Sequence, residues 1–330
     1  MKEVLNKLFK YESLSREEAS DILSNLATGQ YNQSQMAAFL TVYLMRSITV
    51  EELEGFRDAM LELCVKVPAE DYDAIDLCGT GGDSKNTFNI STLSSFVVAG
   101  AGQAVVKHGN YGVSSVSGSS NVLEHFGARF TNDIDTLKQS LDKAGICFMH
   151  APLFHPAMKN VGPVRKELGV KTFFNMLGPM VNPAMPKSQL VGVFSLELAR
   201  LYGYIYQNTN KNFAILHSLD GYDEVSLTGG FKMIMNDREE VLEPKDLGFD
   251  LLKQEDIHGG ETVESSAQIF EDILNGKGTK PQQDVVLANA GLAIAVGKQI
   301  DIASGIAEAR ESLESGRASR SFKSFLEINH

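Results

Sequence analysis

The tightest constraint in this chain is a short apolar run that ends in glycines and hands over to an apolar helix. Residues 74–78 read as a strand. Gly79, Thr80, Gly81, Gly82 and Asp83 follow directly, and residues 89–102 carry the apolar content of a helix. The texture recurs downstream. Residues 104–107 read as a second strand, 119–126 as a short helix and 146–150 as a third strand, with later strands at 190–194 and 213–217. Strands alternating with helices imply an α/β fold with a mainly parallel sheet and helices on its faces. Residues 223–243 read as strands and turns, and the C-terminal stretch as mostly helical.

The first 66 residues are different and read as all-helical. Ser15 with Glu18, and Thr49 with Glu52, are capping boxes. Met36, Phe39, Leu40, Tyr43 and Leu44 recur at helical spacing, and Gly29 suits a helix stop, giving about four short helices. Their apolar residues suit either a partner surface or a small bundle packed on its own chain. Residues 155–186 interrupt the strand–helix alternation with a helical piece near 157–168 and a loop rich in Gly, Pro and Asn. That segment can fold back on the N-terminal helices, with hinges near Pro68, Pro152 and Pro183.

Composition narrows the function. In 330 residues, 30 Lys+Arg stand against 42 Asp+Glu, for a net charge of -12 and a pI near 5.1. Such a balance argues against a broad nucleic-acid footprint, which needs basic surface to neutralise phosphates. With 43% hydrophobic residues the chain can bury a sizeable core, and whole-chain disorder is excluded. No apolar run reaches the ~20 residues of a membrane span. The start lacks the apolar core of a secretory signal. Cys64, Cys78 and Cys147 lie far apart, so neither a disulfide framework nor a structural zinc site is expected. The expectation is a cytoplasmic protein with no membrane partner.

Two loops suit phosphate. In the first, glycines let the backbone approach a ligand, and the helix start at Asn89, Ile90, Ser91 and Thr92 offers free N–H groups, a positive dipole end and side-chain donors. The same residues suit a tight turn with Asn89 as N-cap. This loop is neither a P-loop nor a dinucleotide fingerprint. The second loop, from Lys107 to Ser120, follows the next strand and so lies at the same carboxyl edge of the sheet, where ligands of open α/β sheets bind. Lys107 supplies a point charge. The alternative is a solvated loop. Asp223 and Glu224 form an acidic pair that suits magnesium, which takes one or two carboxylates plus substrate phosphates; a solvated acidic turn is the alternative. Arg165 matches a carboxylate bidentately, or is a helix-surface charge. His108 reads as a polar contact or a packed core histidine. No nucleophilic triad and no metal-ligand run is visible.

Taken in order, Gly79 to Asp83, Asn89 to Thr92, Lys107 to Asn110, Ser117 to Ser119, the run Phe174-Asn-Met-Leu-Gly-Pro179, and Asp223-Glu224 resemble the anthranilate phosphoribosyltransferase family, and the resemblance spans the whole chain. It implies a small α-helical domain of residues 1–67 joined by 156–180, beside a larger α/β domain of 68–155 and 181–330. It further implies a homodimer through the helical domains and a substrate site in the cleft between domains. The family transfers 5-phosphoribose from phosphoribosyl pyrophosphate (PRPP) to the anthranilate amine with magnesium, in tryptophan biosynthesis.

Carried onto this sequence, the resemblance assigns PRPP contacts to Gly79, Gly82, Asp83, Thr87, Asn89, Ile90, Ser91, Thr92, Lys107, His108, Gly109, Asn110, Ser114, Ser115 and Ser119. Gly79, Asn110 and Arg165 would face anthranilate. Ser91 with Glu224 would hold one Mg2+, and Asp223 with Glu224 a second. No residue is assigned as acid, base or nucleophile. One departure concerns Tyr111 and Gly112, where the family often has Arg followed by a small residue. If that Arg holds substrate in relatives, this chain does so otherwise. The rival readings are a nucleoside phosphorylase of related fold and a non-catalytic, nucleic-acid-binding relative.

Overall fold

The computed structural model describes residues 1–112 and 116–330. In chain order its elements are α1 (Lys2–Leu8), α2 (Arg16–Ala27), α3 (Gln33–Met45), α4 (Val50–Leu63), β1 (Ile75–Gly79), α5 (Ile90–Gly100), β2 (Val105–Gly109), α6 (Ser119–His125), α7 (Ile134–Ala144), β3 (Ile146–His150), α8 (Ala151–Phe154), α9 (Gly162–Leu168) and α10 (Phe174–Leu177). There follow β4 (Ser188–Gly192), α11 (Leu196–Gln207), β5 (Asn212–Ser218), β6 (Phe231–Met235), β7 (Glu239–Leu242), α12 (Val263–Leu274), α13 (Lys280–Lys298), α14 (Ile302–Glu314) and α15 (Arg317–Ile328). The chain divides into two compact units. One comprises Met1–Lys66 with Pro152–Pro183, the other Val67–Ala151 with Ala184–His330.

The helical unit is built on its caps. Ser15 Oγ accepts from the Glu18 N–H at 3.2 Å while Glu18 returns the bond to the Ser15 N–H at 2.8 Å. Thr49 and Glu52 do the same, and Asn32 with Gln35 forms a third box. Each such cap is worth about 1 kcal/mol. Phe39, Tyr43, Phe56 and Phe173 then pack as one aromatic cluster, with Phe56 stacked on Phe173 at 4.4 Å. Phe173 comes from the segment after residue 152, so this cluster ties the insertion to the N-terminal helices. The expected helical piece at 157–168 is two pieces, a 3-10 turn at Pro156–Lys159 and then α9. Pro163 has no N–H to give and sits in the first turn of α9, where none is needed.

In the second unit, the described residues form a seven-stranded sheet in the order β3-β2-β1-β4-β5-β6-β7. The first five strands in that order run parallel, while β6 and β7 are antiparallel additions at one edge. Helix α5 is buried almost throughout, and Phe96 on it meets Phe322 and Phe325 of α15 at 5.0 and 5.5 Å. Four of the five expected strands have other boundaries. β1 spans Ile75–Gly79 rather than 74–78, β2 spans Val105–Gly109 rather than 104–107, β4 spans Ser188–Gly192 rather than 190–194, and β5 is longer at both ends. Each shift follows ladder pairing with a neighbour, such as Gly79 with Gly192 and Gly109 with His150, which local apolar content does not encode. Among the described residues no single helix is long and apolar enough to cross a membrane.

Candidate active site

The strand order reverses at β1, which pairs with β2 on one side and β4 on the other. Ligands of open α/β sheets bind outside the carboxyl ends of the strands at such a switch point. Here both β1 and β4 end in glycine, at Gly79 and Gly192. The reason is steric. A Cβ on Gly79 would lie 2.2 Å from Asp223 Oδ2, and one on Gly192 only 1.4 Å from the Asp223 carbonyl oxygen. Asp223 therefore sits in the crevice above the two strand ends, where side chains would otherwise stand.

The Gly-rich loop wraps this carboxylate. Gly81 and Gly82 both have left-handed backbone, with φ of 66° and 77°, which glycine adopts without a Cβ penalty. The Gly81 N–H donates to Asp223 Oδ2 at 2.6 Å. The neighbouring acid does the equivalent at the helix: the Ser91 N–H donates to Glu224 Oε1 at 3.0 Å. This corrects one expectation, that the N–H groups at the start of α5 stand free. A positive helix end attracts the nearest carboxylate, and Glu224 supplies it. Burial, then the charge of Asp83, pushes the Asp223 carboxyl well above the usual range; burial, then Asp223, does the same to Glu224. A cavity of about 10 Å³, roughly one water, is lined by Ser91, Asp223, Glu224 and Asn289.

The second loop is hydrogen-bonded to the first. Asn89 stands at the N-cap position of α5 without capping it. Its Nδ2 donates to the Ser117 carbonyl at 2.9 Å, and its Oδ1 accepts from Ser117 Oγ at 3.1 Å. Gly109 at the end of β2 is another forced glycine, because a Cβ there would lie 2.3 Å from Ser119 Oγ. Ser119 Oγ and the Ser120 N–H both donate to the Asn110 carbonyl, at 3.2 and 3.1 Å.

Other predicted residues are placed differently from a surface cradle. Lys107 lies inside β2 and is 2% exposed, with Nζ donating to the Leu77 carbonyl at 2.5 Å and to Ser91 Oγ at 3.4 Å. It is a charge beneath the site rather than at its rim, and burial lowers its pKa against the raising influence of Asp76. Ile90 and Thr92 are buried in α5, and the Ile90 N–H is taken by the Phe88 carbonyl. His108 is buried, its N–H bonded to Asp76 Oδ1 at 3.4 Å. Thr87 pairs with His258 in an isolated antiparallel bridge. Asp83 accepts from the Lys85 N–H at 3.0 Å. Ser114 and Ser115 lie outside the described residues. Arg165, in the helical unit, lies over the Phe174 ring at 4.9 Å and makes no ion pair among the described residues.

Four supports were not read from the sequence. Gly192 makes room for Asp223. Asn289 Oδ1 accepts from the Val225 N–H and its Nδ2 donates to the Val225 carbonyl, at 3.1 and 2.8 Å, bracing the acidic segment from α13. Lys85 lies 4.6 Å from the Tyr222 ring centre. Asn86 donates to the Gly260 carbonyl at 2.7 Å. An Asn inside the apolar stretch of α13 was the one visible sign, since buried amides need partners.

Residues 2–64 match the pattern described as glycosyl transferase family, helical bundle domain, and residues 71–319 that of the glycosyl transferase family, a/b domain. The chain is 64% identical over 329 residues to the anthranilate phosphoribosyltransferase of Christiangramia forsetii, covering 100% of this chain and 99% of that protein. Among solved structures it is similar to anthranilate phosphoribosyltransferase from Thermus thermophilus, with a TM-score of 0.92 at 31% identity and 98% of each chain covered. It is also similar to the Saccharomyces cerevisiae enzyme in complex with PRPP and Mg, with a TM-score of 0.90 at 27% identity, covering 98% of this chain and 96% of that one.

Proposed function

The chain belongs to the anthranilate phosphoribosyltransferase family of glycosyl transferases, and from that membership we infer that it is an enzyme that moves the 5-phosphoribosyl group of PRPP onto the amine of anthranilate. The products are N-(5-phosphoribosyl)anthranilate and pyrophosphate, in tryptophan biosynthesis. The observation that carries this reading onto the residues is the bonding of Asp223 to Gly81 and of Glu224 to Ser91 at the switch point. Two adjacent carboxylates with raised pKa, Asp223 buried and Glu224 partly buried, call for more positive charge than Lys107 beneath them supplies. A hard divalent cation that also takes phosphate oxygens provides it. The donor set therefore fits Mg2+. Asp223, Glu224 and Ser91 would hold it, two ions per site being the fuller form of the proposal. When bound, the metal neutralises charge on the pyrophosphate.

The remaining work falls to the protein's own groups. The reaction breaks the C1–O bond to pyrophosphate and forms a C1–N bond to anthranilate; the amine proton is lost to solvent. The Gly-rich loop, with Gly79, Gly82, Asp83 and Thr87, lets backbone come close to PRPP. Asn89, Ser91 and Ser119 add polar side chains, and Lys107 adds positive potential from below. Arg165 is a half-buried cation whose pKa burial lowers and which has an aromatic face beneath it. That suits an aromatic carboxylate, by a bidentate bond. The family resemblance assigns Asn110 to the acceptor as well. Positioning anthranilate behind the sugar does much of the rest, so the anomeric carbon inverts without a covalent enzyme intermediate.

A homodimer through the helical unit and residence in the cytoplasm complete the proposal. Phe9, Tyr11 and Met45, exposed by 60%, 79% and 80%, support the dimer. The test is a pair of incubations. PRPP with anthranilate and Mg2+ should release pyrophosphate in equal amount to the anthranilate consumed. Phosphorolysis of nucleosides by phosphate instead would move the chain to the phosphorylase reading.

A further inference from the structure

Tyr111 opens the second loop after Asn110 and is 40% exposed, yet its side chain is tied down on both sides. Its ring meets the His150 ring edge-on at 4.9 Å, and its hydroxyl donates to Glu124 Oε1 at 3.1 Å. His150 ends β3. It stacks on Phe130 at 4.7 Å, and its Nδ1 pairs with Ser120 Oγ at 2.9 Å. Glu124 and Ser120 both belong to α6. Tyr111 thus joins the first residues of the second loop to the end of one strand and the surface of the helix that follows.

The backbone around it is held to the same frame. The Tyr111 N–H donates to Asn110 Oδ1 at 2.8 Å, which orients the amide and leaves its nitrogen as a donor toward a ligand. Asn121 Oδ1 accepts from both the Gly112 N–H, at 2.9 Å, and the Gly118 N–H, at 3.0 Å, so one side chain fastens both stems of the loop. Gly118 is forced here, because a Cβ would lie 2.1 Å from the Gly112 nitrogen. The Asn110 carbonyl meanwhile receives Ser119 and Ser120.

We propose that Tyr111 is a positioning residue for the acceptor side of the site: its ring on His150 and its hydroxyl on Glu124 fix the Asn110–Gly112 backbone, and with it the orientation of the Asn110 amide. The inference rests on the reading that Asn110 faces anthranilate. A well-placed donor keeps its effect only while its support is rigid. Because the ring is partly exposed, its loss should loosen the loop without unfolding the unit.

The test uses the full-length enzyme and the variants Tyr111→Phe, Tyr111→Ala and Glu124→Ala, with amide hydrogen exchange and steady-state kinetics for both substrates. Tyr111→Ala should speed exchange of the Gly112, Gly118 and Ser120 amides at least about tenfold. It should raise the anthranilate KM by about tenfold or more, with a smaller change in the PRPP KM and an unchanged Tm. Tyr111→Phe keeps the ring and should recover most of the loss. Glu124→Ala, which removes the acceptor, should resemble it, and the double variant Tyr111→Phe/Glu124→Ala should be no worse than either single one, since both remove the same bond. Unchanged exchange in Tyr111→Ala would overturn the proposal, as would kinetic constants within twofold of wild type in an active enzyme. A wild-type enzyme inactive on anthranilate would instead sink the functional reading, while the exchange result would still decide the role of Tyr111.

Discussion

Asp223 is an acid placed where burial opposes its charge. It is 8% exposed, wedged over Gly79 and Gly192, and next to a second acid. The arrangement costs stability in the absence of a cation, and neutral isosteres should relieve that cost. Asp223→Asn with Glu224→Gln is therefore expected to keep or raise Tm by calorimetry while lowering turnover at least about 100-fold and removing its magnesium dependence. Wild-type turnover would break the metal assignment. The two glycines should separate in the same way. Gly192→Ala meets backbone at 1.4 Å and should cost roughly 3 kcal/mol or prevent folding. Gly79→Ala meets chiefly the end of the Asp223 side chain and should cost activity more than stability. Arg165→Ala should raise the anthranilate KM more than the PRPP KM; an effect on PRPP alone would take Arg165 out of the acceptor site. At this scale, residues adjacent in sequence were legible. Gly79 to Asp83 and Asp223-Glu224 stood out because one loop carries each group. Gly192 and Asn289 did not, because what demands them is a contact made only when strands pair and α13 packs.

Elements of the helical unit were readable for a related reason: a helix start is a local event. The boxes at Ser15 and Thr49 need only four residues each. What caps do not reveal is the second role of Glu52. It is fully buried and also receives the Leu14 N–H at 3.0 Å, the Tyr43 hydroxyl at 3.2 Å and the Arg46 guanidinium. Burial alone would raise its pKa, but Arg46 and the backbone donors hold it below the usual value. Removing Arg46 strands that charge, so Arg46→Met should destabilise by about 3 kcal/mol. His155 adds a pH dependence. Burial lowers its pKa from 6.5 to about 4, so the folded unit prefers neutral imidazole. Its stabilisation is complete above pH 6.5 and is lost as pH falls toward 4. Between pH 7 and pH 5 the loss should be about 2 kcal/mol, read as a fall in Tm that is smaller in His155→Gln. An equal fall in both proteins would exclude His155 as the cause.

Over the whole molecule, the two-part architecture was visible as a change of texture near Pro68, from helix-only spacing to strands with glycine loops. The mainly parallel sheet followed from the strand–helix alternation. The strand order was not legible, since nothing in β1 says that its neighbours are β2 and β4. Nor was the antiparallel edge formed by β6 and β7, whose short strands depend on pairing with β5. That order is nonetheless what gives the site its place. It brings the carboxyl ends of β1 and β4 together under one acid pair, and two glycine-containing loops to its sides. Together these parts are proposed to serve one metal-dependent transfer. The most direct measurement follows the fluorescence of anthranilate in the presence of the enzyme, with PRPP and Mg2+ each added or omitted and with an EDTA control. Anthranilate should disappear only when both are present and should stop disappearing on chelation. Consumption without PRPP, or at an undiminished rate in EDTA, would contradict the account.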